Sequence, residues 1–165
     1  MSQRIQRITP FLWFDRDAEA AARFYVSVFD DARILNVARY GKSGAQASGQ
    51  AEGAVMTVSF ELDGQAFLAL NGGPAFPLTP AVSFVVTCRD QQEIDRYWTA
   101  LSDGGDERAQ QCGWLRDRFG VSWQVVPVQM AELMAGDPAR AERVMAQVMK
   151  MKKLDLHVLE QAAAG

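Results

Sequence analysis

The spacing of hydrophobic and polar positions changes several times along the chain, which predicts a mixed α+β fold. Bulky residues that favour β structure lie in the segment Arg4–Phe14, which we predict to be a strand. Small and aromatic residues then recur at helical spacing, so a helix is expected to start after a cap at Asp15 or Asp17. The positions on one face of that helix are Ala18, Ala21, Ala22, Tyr25 and Phe29.

A strand, a polar loop and a hairpin are predicted next. The run 32–40 (ARILNVARY) has the composition of a strand. The thirteen small and polar residues Gly41–Gly53 show no periodicity, which indicates a mobile loop. Two alternating segments then flank the pair Asp63-Gly64, which is typical of a tight hairpin turn. The glycines and prolines of 71–80 (NGGPAFPLTP) end this pattern and separate two halves of the chain.

The same order of elements begins again after residue 80. The run 81–88 (AVSFVVTC) predicts a strand, 91–105 (QQEIDRYWTALSDGG) a helix, and 113–126 a hairpin around Gly120. An offset of 73 residues relates the helices of the two halves, and an offset of 56 relates their hairpins. We interpret the chain as a repeated β-α-β-β-β unit. Chance recurrence of aromatic pairs is the alternative.

This interpretation gives a single domain, residues 1–165, built from two βαβββ units at 5–73 and 81–128. Two such units side by side would form a cupped, incomplete barrel whose concave face is a natural small-molecule site. C-terminal helices are expected at 129–163, one of them starting at Asp137-Pro138. Its apolar stripe would pack on its own domain, contact a second chain or cover the cup. The stripe consists of Ala141, Val144, Met145, Val148 and Met151.

Composition and charge exclude several classes of protein. The 165 residues are 48% hydrophobic and 22% charged, as in a folded globular chain. The net charge of −3 gives no basic footprint for nucleic acid. No apolar run approaches the roughly 20 residues of a membrane span, and the start MSQRIQRITPF has no signal-peptide hydrophobic region. With only two cysteines to form disulfides, a cytoplasmic location is expected.

Few side chains suggest catalysis. His157 is the one histidine, which excludes a multi-histidine metal site, and it is expected on the surface of a terminal helix. Cys112 has no histidine close in sequence to activate it, and Cys88 ends a predicted strand, so both are interpreted as structural thiols. Asp63 and Asp117 lie in or beside turns and do not form a general acid/base pair.

Four segments together resemble the PhnB-like branch of the vicinal oxygen chelate (glyoxalase/bleomycin-resistance) superfamily. They are ITPFLWFD (8–15), RFYVSVF (23–29), VMTVSFELDGQAFLALNGGP (55–74) and CGWLRDRFGVSWQVVP (112–127). The similarity is greatest to the group labelled demethylubiquinone methyltransferase-like and extends from Ile8 to about Leu156. It implies paired βαβββ units and a homodimer. No strand is followed by the G-x-G-x-x-G turn that would hold an adenosyl cofactor, so methyltransferase chemistry is not expected.

The resemblance also implies a divalent metal held by the first and last strands of each unit. Carried onto this sequence, those positions are Pro10, Leu68, Ser83 or Ala81, and Gln124. These residues offer no imidazole, thiolate or carboxylate, which are the ligands that Zn²⁺, Ni²⁺ and Mn²⁺ prefer. We therefore expect no metal and no cofactor, and none of the superfamily's metal-dependent reactions.

Side-chain alternation extends these positions to a ligand site. If Pro10 faces the cup, Leu12 and Phe14 face it too, whereas Phe11 and Trp13 face the helices. The same rule groups Leu70 with Leu68, and Ser122 with Gln124, while Phe67 and Trp123 become core residues. The predicted ligand-binding residues are Leu12, Phe14, Leu68, Leu70, Asn71, Ser83, Ser122 and Gln124. This mostly apolar set suits a neutral, partly apolar small molecule rather than a highly charged one.

Three functions are consistent with this set. The first is a protein that holds a small molecule without a metal. The second is a metal-independent enzyme that polarises a carbonyl through hydrogen bonds from Gln124 and Ser83 or Asn71. The third is a dimeric scaffold whose cup is filled by side chains. No residue offers a credible general base, which favours the first.

Overall fold

The computed structural model describes residues 5–165, so Arg4 in the first predicted strand lies outside the described residues. The chain divides into two compact units, of which the first ends at Leu78 and the second is Thr79–Gly165. This division falls within the glycine- and proline-rich segment 71–80. No helix in the described part of the chain is both long enough and apolar enough to cross a membrane.

The first unit is a four-stranded sheet with helices. Its strand order is β1-β4-β3-β2, in which β1 runs parallel to β4 and the other neighbours are antiparallel. The order along the chain is the predicted βαβββ with one added short helix. Its elements are β1 (Phe11–Phe14), α1 (Ala18–Val28), β2 (Ala32–Arg39), α2 (Lys42–Ser48), β3 (Val55–Leu62) and β4 (Gln65–Asn71).

The hairpin between β3 and β4 is confirmed. Asp63 and Gly64 have φ angles of 49° and 74°, so both central turn residues are left-handed. Such a turn matches the twist of the flanking strands and fixes their register, with Leu62 opposite Gln65. The register places Phe60 opposite Phe67, and these rings stack with centroids 5.5 Å apart.

The prediction of a loop over Gly41–Gly53 is wrong for its first half. Residues Lys42–Ser48 form α2, which begins after Gly41 and ends at Gly49 in the left-handed conformation, φ 71°. The Gly49 N–H donates to the Ala45 carbonyl at 3.0 Å and closes the last turn. Ala45 is the one buried residue of this helix. A helix of two turns with one buried position has no repeating hydrophobic pattern, so it could not be predicted from the sequence.

The second unit has the smaller sheet. Its strand order is β5-β7-β6, with β5 parallel to β7 and β6 antiparallel to β7. The elements are β5 (Ser83–Cys88), α3 (Gln91–Ser102), β6 (Trp114–Arg116), β7 (Ser122–Pro127), α4 (Met130–Leu133), α5 (Pro138–Val148) and α6 (Leu156–Ala164). The α+β class and both open sheets are therefore as predicted.

The second sheet has three strands where the repeat predicts four. A 3₁₀ turn, Glu107–Ala109, lies between α3 and β6 in place of the missing strand. The Asp106 side chain caps this turn by accepting from the Arg108 N–H at 3.0 Å. Gly105 lies against β6, where a Cβ would be 2.2 Å from the Arg116 carbonyl oxygen. The close backbone approach and the cap together favour a turn over a strand.

One helix covers one face of each sheet. Helix α1 packs on the first sheet, where the Tyr25 ring stacks on Phe60 at 6.2 Å. Helix α3 packs on the second sheet through its buried residues Ile94, Trp98 and Leu101. The opposite faces, here called the α1-distal and α3-distal faces, carry the candidate chemistry.

The C-terminal helices pack within the second unit. Asp137 caps α5 by accepting from the Ala139 N–H at 3.0 Å, and Pro138 occupies the first turn, as predicted. Val144 and Val148 of the predicted apolar stripe are buried, and α5 packs on α6. Met145, on the same stripe, is exposed. This packing accounts for two of the five stripe positions.

Candidate functional site

The predicted orientation of β1 is wrong. Leu12 and Phe14 are buried and pair in register with Ala69 and Asn71, whose side chains face α1. Neighbours in register share a face, so Leu12 and Phe14 belong to the core beneath the helix. Phe11 is 52% exposed and, with Trp13, lies on the α1-distal face. All four residues of β1 are bulky and apolar, so their sequence does not show which side chains face the helix.

Asn71 has a structural role. Its buried side chain accepts from the Ala18 N–H at 2.8 Å and donates to the Val55 carbonyl at 3.1 Å. The first bond satisfies a backbone donor at the start of α1, and the second fixes the start of β3. The Tyr40 hydroxyl donates to the Asn71 carbonyl at 2.6 Å. These bonds commit the polar groups of Asn71 to the fold.

Leu68 and Leu70 lie on the α1-distal face, as alternation predicts. They pair with Phe11 and Trp13 on one side and with Ser59 and Thr57 of β3 on the other. This face of the first sheet is thus apolar along β1 and β4 and polar along β3. A ligand-binding role for the two leucines stays a prediction.

The α3-distal face of the second sheet holds the polar residues predicted from the last strand. Ser83 pairs with Ser122, and Ser122 pairs with Arg116, so these three side chains form a row across β5, β7 and β6. The next row is Val85, Gln124 and Trp114. Side chains directly opposite one another in adjacent strands are about 4.5–5.5 Å apart at Cβ, so each row is contiguous.

Ser83 and Gln124 are joined directly. The Gln124 Nε2 donates to Ser83 Oγ at 2.9 Å, between adjacent rows of the sheet. The internal offset of 73 residues that selected Ser83 as a site position thus selected a partner of Gln124. Trp123 is buried on the opposite face, as predicted. Val85 beside Gln124 is 56% exposed, so solvent reaches this row.

Two residues of this face were missed from the sequence. Trp114 and Arg116 flank Leu115, which is buried, and they point with Gln124 and Ser122 to the α3-distal face. The side chain of Arg116 is 40% exposed. Strand β6 has three residues, too few to show alternation alone. If Leu115 is paired with the predicted core residue Trp123, alternation along β6 places Trp114 and Arg116 on the α3-distal face.

Arg116 is held by a carboxylate at the edge of the sheet. Asp106 accepts from the Arg116 guanidinium and also from Arg108 Nε at 3.1 Å. Hydrogen bonds from Arg108, and then from Arg116, lower the pKa of Asp106 to about 2. Asp106 is therefore a stable anion at neutral pH and an ineffective proton acceptor.

The donor set on these faces does not fit the metal implied by the fold family. Gln124 and Ser83 are neutral and bonded to each other, and Leu68 has no donor atom. On β1, the side chain that lies on the α1-distal face is that of Phe11 rather than Pro10, and it also has no atom that could bind a metal. Within residues 5–165, no three His, Cys, Asp or Glu side chains form a group that could hold a metal ion.

The remaining predicted positions have structural roles. The buried Asp117 accepts from the Phe119 and Val121 N–H groups at 2.8 and 3.0 Å and from Trp123 Nε1 at 2.8 Å. It organises the hairpin, a role that the sequence alone did not show. Cys88 is fully buried, and burial raises its pKa to about 12. His157 is exposed on α6, as predicted.

The first unit contains an open cleft of about 660 Å³ at the carboxyl ends of β1 and β4. None of the residues predicted to bind a ligand lines it. The lining residues are Asp15, Arg16, Ser48, Gly49, Gln50, Ala51, Ala54, Gly72, Gly73, Pro74 and Ala75.

The sequence profile of the 3-demethylubiquinone-9 3-methyltransferase family matches residues 6–126 of the chain. The chain belongs to this family. It is a PhnB-like member of the vicinal oxygen chelate superfamily, as the resemblance indicated. The matched range covers both sheets up to Val126, and therefore includes Ser83, Ser122 and Gln124.

Solved structures agree with the assignment of this PhnB-like chain. It is 36% identical to PhnB protein from Bacillus cereus, covering 74% of this chain and 100% of that one, with a TM-score of 0.63. Protein PA1353 from Pseudomonas aeruginosa shares the fold at 22% identity, 74% and 98% coverage, and a TM-score of 0.59. The fosfomycin resistance protein FosX from Mesorhizobium loti does so at 17% identity, 76% and 92% coverage, and 0.51. Comparison with curated proteins gave no match.

Proposed function

We propose that this PhnB-like protein binds a small, partly apolar molecule without a metal, on the α3-distal face of its second sheet. The observation that carries this proposal is the hydrogen bond between Gln124 and Ser83, beside the exposed apolar side chain of Val85. The pair offers a carboxamide and a hydroxyl next to Val85 and Trp114. A few convergent polar groups in apolar surroundings are typical of ligand sites.

Binding is favoured over catalysis because this face offers no proton acceptor. The side chains on it are Ser83, Val85, Thr87, Trp114, Arg116, Ser122, Gln124 and Val126. None is a carboxylate or a histidine, and the nearby Asp106 is bonded to two arginines. The enzyme alternative would use Gln124 and Ser83 to polarise a carbonyl, and it would need a base from elsewhere.

A scaffold filled by the chain's own side chains is disfavoured by exposure along β5. Val85 and Thr87 are both exposed in the single chain, although Ser122 on the same face is buried. The homodimer implied by the family resemblance stays part of the proposal. Light scattering on the purified chain tests it, and a monomeric mass would remove it.

The proposal is tested by thermal shift with a panel of small neutral amides, ketones and alcohols. Ligands that stabilise the native chain should lose most of their effect in Gln124→Ala and Ser83→Ala. Gln147→Ala makes the same truncation on α5 of the same unit and should retain it. Equal shifts in all three variants, or no ligand at all, would overturn the proposal. One tightly held divalent ion per purified chain would overturn its metal-free part.

A further inference from the structure

Arg116 gives the α3-distal face a positive charge. Across the strands it stands opposite Ser122, which stands opposite Ser83, so the guanidinium and the two hydroxyls belong to one row. Gln124 in the next row is bonded to Ser83. Arg116 thus lies diagonally across β6 and β7 from the carboxamide of the proposed binding pair.

The charge of Arg116 is only partly neutralised. Asp106 is shared between Arg108 and Arg116, so one carboxylate serves two guanidinium groups and the cluster has one net positive charge. The bond between Arg116 and Asp106 uses the Nη2 group. A guanidinium carries five N–H donors, so Arg116 retains donors for a second anion.

The backbone holds this arrangement in place. The Asp106 N–H donates to the Arg116 carbonyl at 3.3 Å, and Gly105 permits the approach, because any Cβ there would lie 2.2 Å from that oxygen. Arg116 is thereby fixed before a ligand arrives, which reduces the entropy lost on binding. Its half-exposed side chain remains accessible to solvent.

We infer that the ligand of this site is a small monocarboxylate with an apolar body, whose carboxylate is bound by Arg116. This inference rests on the proposed function and names its ligand class. One net charge beside neutral polar groups matches one carboxylate, and a planar guanidinium suits its two oxygens. Val85, Val126 and Trp114 on the same face provide apolar contacts for the body of the molecule.

Matched pairs of probes test the inference by calorimetry: phenylacetate with phenylacetamide, and hexanoate with hexanamide. Carboxylates should bind the native chain at least about tenfold tighter than their amides. Arg116→Gln should remove most of this preference and leave amide affinity within about twofold. Arg89→Gln is the matched control, because Arg89 is likewise bonded to a carboxylate, Glu93, but lies outside the three strands of this face. It should reduce carboxylate affinity by less than about threefold.

The outcomes separate this inference from the proposed function. If carboxylates and amides bind equally, or Arg116→Gln leaves carboxylate affinity unchanged, the monocarboxylate class is overturned. Loss of amide binding in Gln124→Ala would then still support the binding function. If neither series binds the native chain and the neutral panel also fails, the proposed function falls and the inference with it. Circular dichroism confirms that each variant is folded.

Discussion

Replacing Asp117 with alanine tests whether one buried carboxylate organises the hairpin of the second sheet. The change removes the acceptor of three N–H groups, of which those of Val121 and Trp123 are buried. A buried donor left without a partner costs about 1–3 kcal/mol, and the partly buried Phe119 N–H adds less. The variant no longer has to bury a charged carboxylate, and this gain offsets part of the cost. We expect the free energy of unfolding to fall by about 3–5 kcal/mol.

The indole bond can be isolated with a double-mutant cycle. Trp123→Phe removes the Nε1 donor. In the Asp117→Ala background the bond between these two side chains is already absent, so this second change breaks no further bond. The coupling energy between the two changes should be about 1.5–3 kcal/mol, as for a hydrogen bond to a charged group. Urea unfolding followed by far-UV circular dichroism measures it without depending on tryptophan fluorescence.

The control for this cycle is Glu142→Ala, which removes an exposed carboxylate from α5. It should change the free energy of unfolding by no more than about 0.5 kcal/mol. A loss below about 1 kcal/mol in Asp117→Ala, or no coupling with Trp123, would refute the reasoning. In that case the hairpin would be held by its strands and the carboxylate would be incidental.

Three further outcomes follow from other contacts. Gly72→Ala should lower the free energy of unfolding by about 1–3 kcal/mol or more in urea titration, because a Cβ would lie 2.2 Å from the Trp13 ring. In the native chain, iodoacetamide should modify Cys112 and not Cys88, whose thiol is buried with its pKa raised to about 12; mass spectrometry distinguishes them. Since hydrogen bonds lower the folded-state pKa of Asp106 to about 2, its stabilising effect is fully present above about pH 4. It is lost as the pH falls towards 2, so the melting temperature should fall more steeply there than in Asp106→Asn.

The parts of the fold that could be predicted are those with a strong local pattern. The pair Asp63-Gly64 specifies its turn through backbone conformation alone, and α3 shows its buried face at helical spacing. Short elements could not be predicted in the same way. Strand β1 (Phe11–Phe14) is apolar at all four positions, so its facing is decided by its pairing with β4, which is distant in sequence.

The same contrast between local pattern and distant contacts applies to the residues of the candidate site. Gln124 came from the last-strand position that the family resemblance implies, and alternation along β7 added Ser122 to it. The structural role of Asn71 could not be predicted because its bonds reach Ala18 and Val55, which lie 53 and 16 residues away. An asparagine before a pair of glycines has the same sequence appearance whether it contacts a ligand or the backbone.

The bond between Gln124 and Ser83 has a consequence for what can bind beside it. It uses one N–H of the carboxamide, so the second N–H and the amide oxygen of Gln124 remain as a donor and an acceptor. Ser83 likewise keeps a hydroxyl proton to donate, because its oxygen accepts from Gln124. A ligand can therefore be added to this pair without breaking the bond. Since both members are neutral, we expect selectivity for charge on this face to come from Arg116, and the pair to fix the orientation of the proposed ligand.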